Sequence, residues 1–208
     1  MGSEVSTGGG RTARGPMERR RAILDGAFAV FARRGYAQAC VKEIAQEAGV
    51  AKPTVYSHLN DKESLYREAV ETVADRIGAR SLAAVEHLRA TAPDADPRAP
   101  LTTVARDLLE VLGAADAAAL RRLAWAQAAQ FPDLAAYVHE RTALRVRSAL
   151  ADRLARLTLD GRLRGCDPEL AAEHFLSLIT GSLEYRPSAT PDSLADPTVD
   201  VFLRAYGR

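Results

Sequence analysis

The chain has 208 residues, 26% of them charged and 47% apolar, with a formal net charge of +1. That length allows one domain, or a small one joined to a larger one, and is enough to bury a sizeable core; the composition excludes a wholly disordered, collagenous or coiled-coil chain. Forty alanines stand against only 5 Phe, 6 Tyr and 1 Trp, which favours helix over strand because alanine loses no side-chain entropy in a helix and β-forming runs are scarce.

No apolar run reaches the ~18 residues of a spanning helix, so no membrane partner is expected. Residues 1–16 lack the apolar stretch of a secretory signal and are read as a disordered arm, and the protein is expected in the cytoplasm. Cys40 and Cys166 stand alone without C-x-x-C spacing, so neither a disulfide nor a metal site is expected, and no cofactor. Charge is unevenly spread: residues 1–62 hold ten Lys/Arg and six Asp/Glu, residues 63–208 eighteen and twenty-one. A compact basic segment ahead of an acidic body is the footprint of a nucleic-acid reader.

In chain order, Met17 to Arg34 carries Ile23, Leu24, Ala27, Phe28 and Phe31 at helical spacing and is closed by Gly35. Val41 to Ala48 forms a short helix stopped by Gly49, and Lys52 to Leu59 follows within three residues, with Pro53 in the first turn where its missing N–H is no loss. Two short helices joined by a Gly-containing turn make a helix-turn-helix. Asn60 or Asp61 caps a long fourth helix, with Glu63 placed for a capping box. It runs to the Pro-rich loop between Thr91 and Pro100. Further helices are expected over Leu101 to Leu112, Asp116 to Gln130, Leu134 to Leu159, from the Asp167-Pro168 start to Tyr185, and from Pro197 to Tyr206. The expectation is an all-α chain of about nine helices. It comprises an arm over 1–16, a helix-turn-helix domain over 17–62, and a larger helical domain over 63–208 for ligand binding and dimerisation.

The run Ile44-Ala45-Gln46-Glu47-Ala48-Gly49-Val50-Ala51-Lys52-Pro53-Thr54-Val55-Tyr56-Ser57-His58-Leu59, followed by Asn60-Asp61-Lys62-Glu63-Ser64-Leu65, resembles the TetR/AcrR family of bacterial transcriptional regulators. Phe131-Pro132-Asp133-Leu134, with Gly161 to Arg164 and Asp167 to Glu173, resembles AefR-type C-terminal regions. The resemblance implies a homodimer that binds a palindromic double-stranded DNA operator, most often represses, and is released by a small-molecule effector. Two departures stand out. Cys40 replaces the usual capping threonine, and its thiol is a poor donor and acceptor; Leu59 replaces the usual phenylalanine.

In such a motif the second short helix enters the major groove, which puts Lys52, Pro53, Thr54, Ser57 and His58 at base edges. Lysine can donate to guanine O6 and N7, and threonine can meet several bases. Tyr56 matches a phosphate-anchoring tyrosine, Lys42 reaches a base edge or the backbone, and Lys62, at a helix start, is placed to grip a phosphate. Arg11 and Arg14 either enter the minor groove or form a solvated tail. In the second domain Trp125, Phe131 and Tyr137 offer aromatic walls and Arg122, Gln127, Gln130 and His139 polar anchors for an effector, the alternative being ordinary core. Small and apolar residues on the last two helices, Phe175, Leu178, Gly181, Ser182, Phe202 and Tyr206, suit a four-helix dimer interface.

Two other functions find less support in the residues. A helical enzyme lacks support: His58, His87, His139 and His174 form no metal-binding pair, and neither a phosphate loop nor a G-x-S-x-G elbow occurs. A nonspecific DNA-coating protein needs a basic face on both portions, which the acidic body does not offer.

Overall fold

Glycines, prolines and capping side chains set the helix boundaries in the computed structural model, which describes residues 15–58, 61–90 and 96–208, the side chains of His58 and Ala90 excepted. The expectations for Arg11, Arg14, Leu59, Asn60, the His58 side chain and most of the arm lie outside the described residues. The helices are α1 (Pro16–Gln38), α2 (Val41–Ala48), α3 (Lys52–His58), α4 (Lys62–Val85), α5 (Arg98–Gly113), α6 (Ala115–Ala126), α7 (Pro132–His139), α8 (Arg145–Leu159), α9 (Pro168–Tyr185) and α10 (Pro191–Tyr206). A π turn, Glu140–Leu144, joins α7 to α8, so the ten segments among the described residues make nine continuous rods, and none contains a strand.

Gly35, at φ 75° and ψ 167°, interrupts α1 where the sequence predicts its end, and the rod continues past the kink to Gln38. Gly49 takes the left-handed conformation (φ 65°, ψ 37°) after α2. Its N–H donates to Gln46 O (3.1 Å) and that of Val50 to Ala45 O (3.0 Å), satisfying carbonyls that the helix end would leave bare. The α4 cap is Asp61, one of the two caps expected, accepting from Ser64 N–H. Asp167 starts α9 as expected, accepting from Glu169 N–H (2.9 Å).

Besides the longer α1 and an α5 that starts at Arg98 rather than Leu101, two boundaries differ from the sequence reading by four residues or more. Helix α10 begins six residues earlier than Pro197, at Thr190 and Pro191, with Thr190 accepting from Ser193 N–H. Pro197 lies exposed inside the helix, where its ring meets solvent, while Leu194, Ala195, Thr198, Val199 and Phe202 pack inward. Helix α6 stops at Ala126 rather than Gln130, and a turn closed by Phe131 N–H to Gln127 O (2.8 Å) follows.

The buried side chains form two apolar clusters. One unites α1, α2 and α3 with the first part of α4, up to Ile77, and with α6 and α7. The other joins the end of α4 to α5, α8, α9 and α10. Helix α4 thus belongs to both, and also contacts the π turn. At Gly78 the contact is backbone to backbone: an added Cβ would lie 2.4 Å from Arg141 O. Alanine is intrinsically better in a helix by about 1 kcal/mol. Gly78→Ala is nevertheless expected to lower stability by about 1–3 kcal/mol, because a carbonyl on a packed rod cannot step aside cheaply. Urea denaturation checks this; equal or greater stability would show that the two rods separate without cost.

Candidate nucleic-acid interface

Helices α2 and α3 are held by their inner faces. Ile44, Ala45 and Ala48 of α2 and Val55 of α3 are buried, which turns Lys42 on α2 and Lys52, Pro53, Tyr56 and Ser57 on α3 outward to solvent, with Thr54 half-buried. Positions 52, 53, 56 and 57 share one face by helical spacing. On that face the Lys52 ammonium lies 5.8 Å from the Tyr56 ring centroid, Tyr56 is 48% exposed, and the Ser57 hydroxyl donates to Thr54 O (2.9 Å). Six of the eight residues expected at DNA are thus described on one small surface or beside it; His58 lies outside the described side chains and Lys62 is placed differently.

The Lys62 ammonium donates to Ala37 O (2.9 Å) and sits 5.0 Å over the Tyr36 ring. The end of α1, with its partial negative charge, is the partner here, so Lys62 ties the start of α4 to the end of α1. Cys40 is exposed and caps α2 without a side-chain hydrogen bond, as the chemistry of a thiol predicts. Sequence reasoning missed the clamp that orients α2. Arg33 reaches Glu43 and Glu47 (both 3.1 Å) and Arg34 reaches Glu43 (3.2 Å). The hydrogen bond from Arg33 holds the Glu43 carboxyl below its ordinary range. These pairs join α1 to α2 and neutralise both carboxylates of α2.

Behind the interface lies an aromatic knot. Tyr66 makes edge contacts with Phe31 (5.0 Å between centroids) and Tyr36 (4.9 Å) and meets Phe131 at 5.3 Å. Burial, with a smaller contribution from Tyr36, pushes the Tyr66 phenol up to about 12. Arg67 lies 5.0 Å over Phe131 and pairs with Asp133 (2.6 Å) and Glu63 (3.0 Å). The knot therefore couples α1, α4 and α7.

The seven residues expected to bind an effector are not brought together, and Gln130 is exposed. Phe131 is 3% exposed and fills the knot, whereas Trp125 is 87% exposed, and Arg122 and His139 also face solvent. Gln127 and Tyr137 are half-buried, and Tyr137 donates to Asp75 Oδ1 (2.9 Å). The reason is the face of α6: Leu120 and Leu123 point inward, which turns Arg122 and Trp125, themselves three residues apart, to the opposite side.

At the other end of the chain, Phe175 and Phe202 are fully buried and pack edge to face at 5.0 Å, so they belong to the core rather than to a surface. Leu178, Gly181, Ser182 and Tyr206 remain partly exposed. An apolar groove of about 360 Å³ runs between α9 and α10, lined by His174, Ser177, Leu178, Val201, Ala205 and Tyr206 above Phe202. Tyr206 is hydrogen-bonded to His174 Nδ1 (2.5 Å). Among the described residues, no cluster of His, Cys, Asp and Glu could hold a metal, and no helix is long and apolar enough to cross a membrane.

Two family models match the chain. Residues 23–69 match the bacterial regulatory proteins of the tetR family, and residues 99–208 match the C-terminal domain of AefR-like transcriptional repressors. The chain belongs to the TetR family. Among relatives, a TetR-family chain of this kind is similar to the HTH-type transcriptional repressor Rv1474c of Mycobacterium tuberculosis, 28% identical over 84% of this chain and 84% of that one. A TetR-family regulator from Mesorhizobium loti superposes with a TM-score of 0.79 at 29% identity, covering 94% of this chain and 100% of the other. The structure of AibR in complex with isovaleryl coenzyme A and operator DNA superposes with a TM-score of 0.64 at 22% identity, over 88% and 97% of the two chains, and shares the fold.

Proposed function

We propose that this TetR-family regulator is a homodimeric repressor that reads a palindromic operator through α3 and is released by a small-molecule effector bound within residues 63–208. The observation that carries the reading is the outward face of α3, where Lys52, Pro53, Tyr56 and Ser57 stand exposed over a motif anchored by buried Val55. In this reading Lys52, Thr54 and Ser57, with His58 beside them, meet base edges, while Lys42 and Tyr56 fix the register on phosphates. Two copies joined through α9 and α10 present two such faces, with half-sites spaced by about 34–36 Å or a multiple. Repression is supported by the AefR-like repressor model and by the named repressor among the relatives. An effector that releases DNA must bind the incompetent spacing of the readers more tightly than the competent one. Helix α4, tied to α1 through Lys62 and Tyr66 and to α7 through Arg67, is the element able to carry that difference.

The test is selection of bound fragments from the source genome by the purified protein. A recovered palindrome supports the reading, and fragments of random sequence refute it. On that palindrome Lys52→Ala is expected to reduce discrimination at its own base step about tenfold, while Tyr56→Phe weakens all duplexes alike. The reverse pattern would exchange the two roles.

A further inference from the structure

The two apolar clusters meet on α4 between Ile77, the last member of one, and Ala84, the first of the other. Across this seam α4 carries Gly78, in backbone contact with Arg141, and Ser81, whose buried hydroxyl has no hydrogen-bond partner among the described residues. Opposite stands the π turn Glu140–Leu144, a rare backbone form that occurs frequently at functional sites. Beside the contact opens a cleft of about 230 Å³, lined by Asp75, Gly78, Ala79 and Leu82 of α4 and by Arg141 and Arg145 of the facing rod.

The chemistry of the lining is specific. Gly78, Ala79 and Leu82 provide a small apolar floor. The charged lining is Asp75, Arg141 and Arg145, each guanidinium paired with one carboxylate of its own. Arg141 Nε is 3.0 Å from Asp75 and its guanidinium lies 5.1 Å over the Tyr137 ring. Arg145 reaches Glu140 at 3.4 Å, with both side chains about half exposed, a pair that solvent screens and a competing anion displaces readily. The volume holds on the order of eight water-sized groups, which limits the occupant to a small molecule.

We propose that this cleft binds a small organic monocarboxylate, its carboxylate on Arg141 and Arg145 and its apolar part against Ala79 and Leu82. A carboxylate is the class to which Arg141 already donates at Asp75, and planar guanidinium groups pair with it in bidentate fashion. On binding, the ligand takes Arg141 from Asp75 and removes a tie between α4 and the facing rod at the seam of the two clusters. The cleft is therefore the point at which occupancy changes how α4 is held. This second step rests on the regulator reading; the binding itself does not.

Isothermal titration of the DNA-free protein with benzoate and with hexanoate tests the site, using benzamide and hexanamide as uncharged controls. At least one carboxylate is expected to bind at least tenfold more tightly than its amide. Arg145→Gln should weaken that binding tenfold or more while leaving the melting temperature unchanged, and Arg156→Gln, on another surface, should leave binding unchanged. The site is overturned by absence of carboxylate binding, by equal binding of acid and amide, or by wild-type affinity in Arg145→Gln. With a recovered operator, the bound carboxylate should lower DNA affinity about 5–150-fold in the wild type and not in Arg145→Gln. Tight carboxylate binding without any preferred duplex would leave the site standing and refute the regulator reading, and a preferred duplex without carboxylate binding would do the opposite.

Discussion

Replacing Tyr66 with alanine is expected to destabilise the protein by about 3–5 kcal/mol, the range found when a large aromatic side chain is removed from a packed core. Tyr66 is fully buried, and its ring is the common neighbour of Phe31, Tyr36 and Phe131, so the cavity opens where α1, α4 and α7 meet. Chemical denaturation measures the loss. A change below about 1 kcal/mol would mean that the three helices collapse onto the vacancy and that the knot does not govern their arrangement. Tyr66→Phe keeps the ring and removes only a hydroxyl 3.5 Å from Leu123 O, a long contact, so it should cost about 1 kcal/mol or less. The same residue sets an alkaline limit. Its phenol is raised from 10.0 to about 12 in the folded chain, so the unfolded state loses its proton first. The contribution of neutral Tyr66 is therefore complete below pH 10 and lost as the pH climbs toward 12. In Tyr66→Phe the stability should fall less steeply across that window; an identical slope would assign the alkaline loss to other groups.

Gly181→Trp is expected to convert the proposed dimer into a monomer. Within one chain, a Cβ added at Gly181 meets no atom within 4 Å, so the indole should project from α9 without disturbing the fold. It would stand on the face that carries Leu178 and Ser182, beside the apolar groove with Val201 and Ala205. A bulky group there keeps a second copy at a distance. Sedimentation should report the monomer mass with circular dichroism and melting temperature preserved. Affinity for a palindrome should fall about 100-fold or more, since the second half-site is no longer bound from a tethered partner. A dimer retained at the same concentration would move the interface elsewhere on the surface.

Much of this architecture is legible in the residues themselves. Gly49, Pro53 and the Asp167-Pro168 pair mark turns and helix starts by local chemistry that needs no distant partner, and the structure follows them. Where two local signals compete, the stronger cap prevails: Thr190 with Pro191 starts α10 and Pro197 is carried along on the solvent side. The interior is less legible because residue type alone does not report which face of a helix a side chain occupies. Trp125 and Arg122 look suited to a pocket, yet they share the side of α6 opposite Leu120 and Leu123. Phe175 and Phe202 look suited to an interface, yet their rings pack against each other inside the core, and the exposed seam is left to Leu178, Val201 and Ala205. The cleft at Gly78 had one sequence signal, a glycine inside an otherwise regular helical pattern. Its meaning depends on a π turn more than sixty residues away, which no local pattern reports.

The most direct test is a competition between one recovered operator duplex and a scrambled duplex of equal length, followed as salt rises from about 50 to 200 mM. Phosphate contacts weaken for both duplexes over this range. If α3 reads bases, the ratio of the two affinities should stay large throughout while both decline. A ratio that falls to one, with both duplexes released together, would contradict the account.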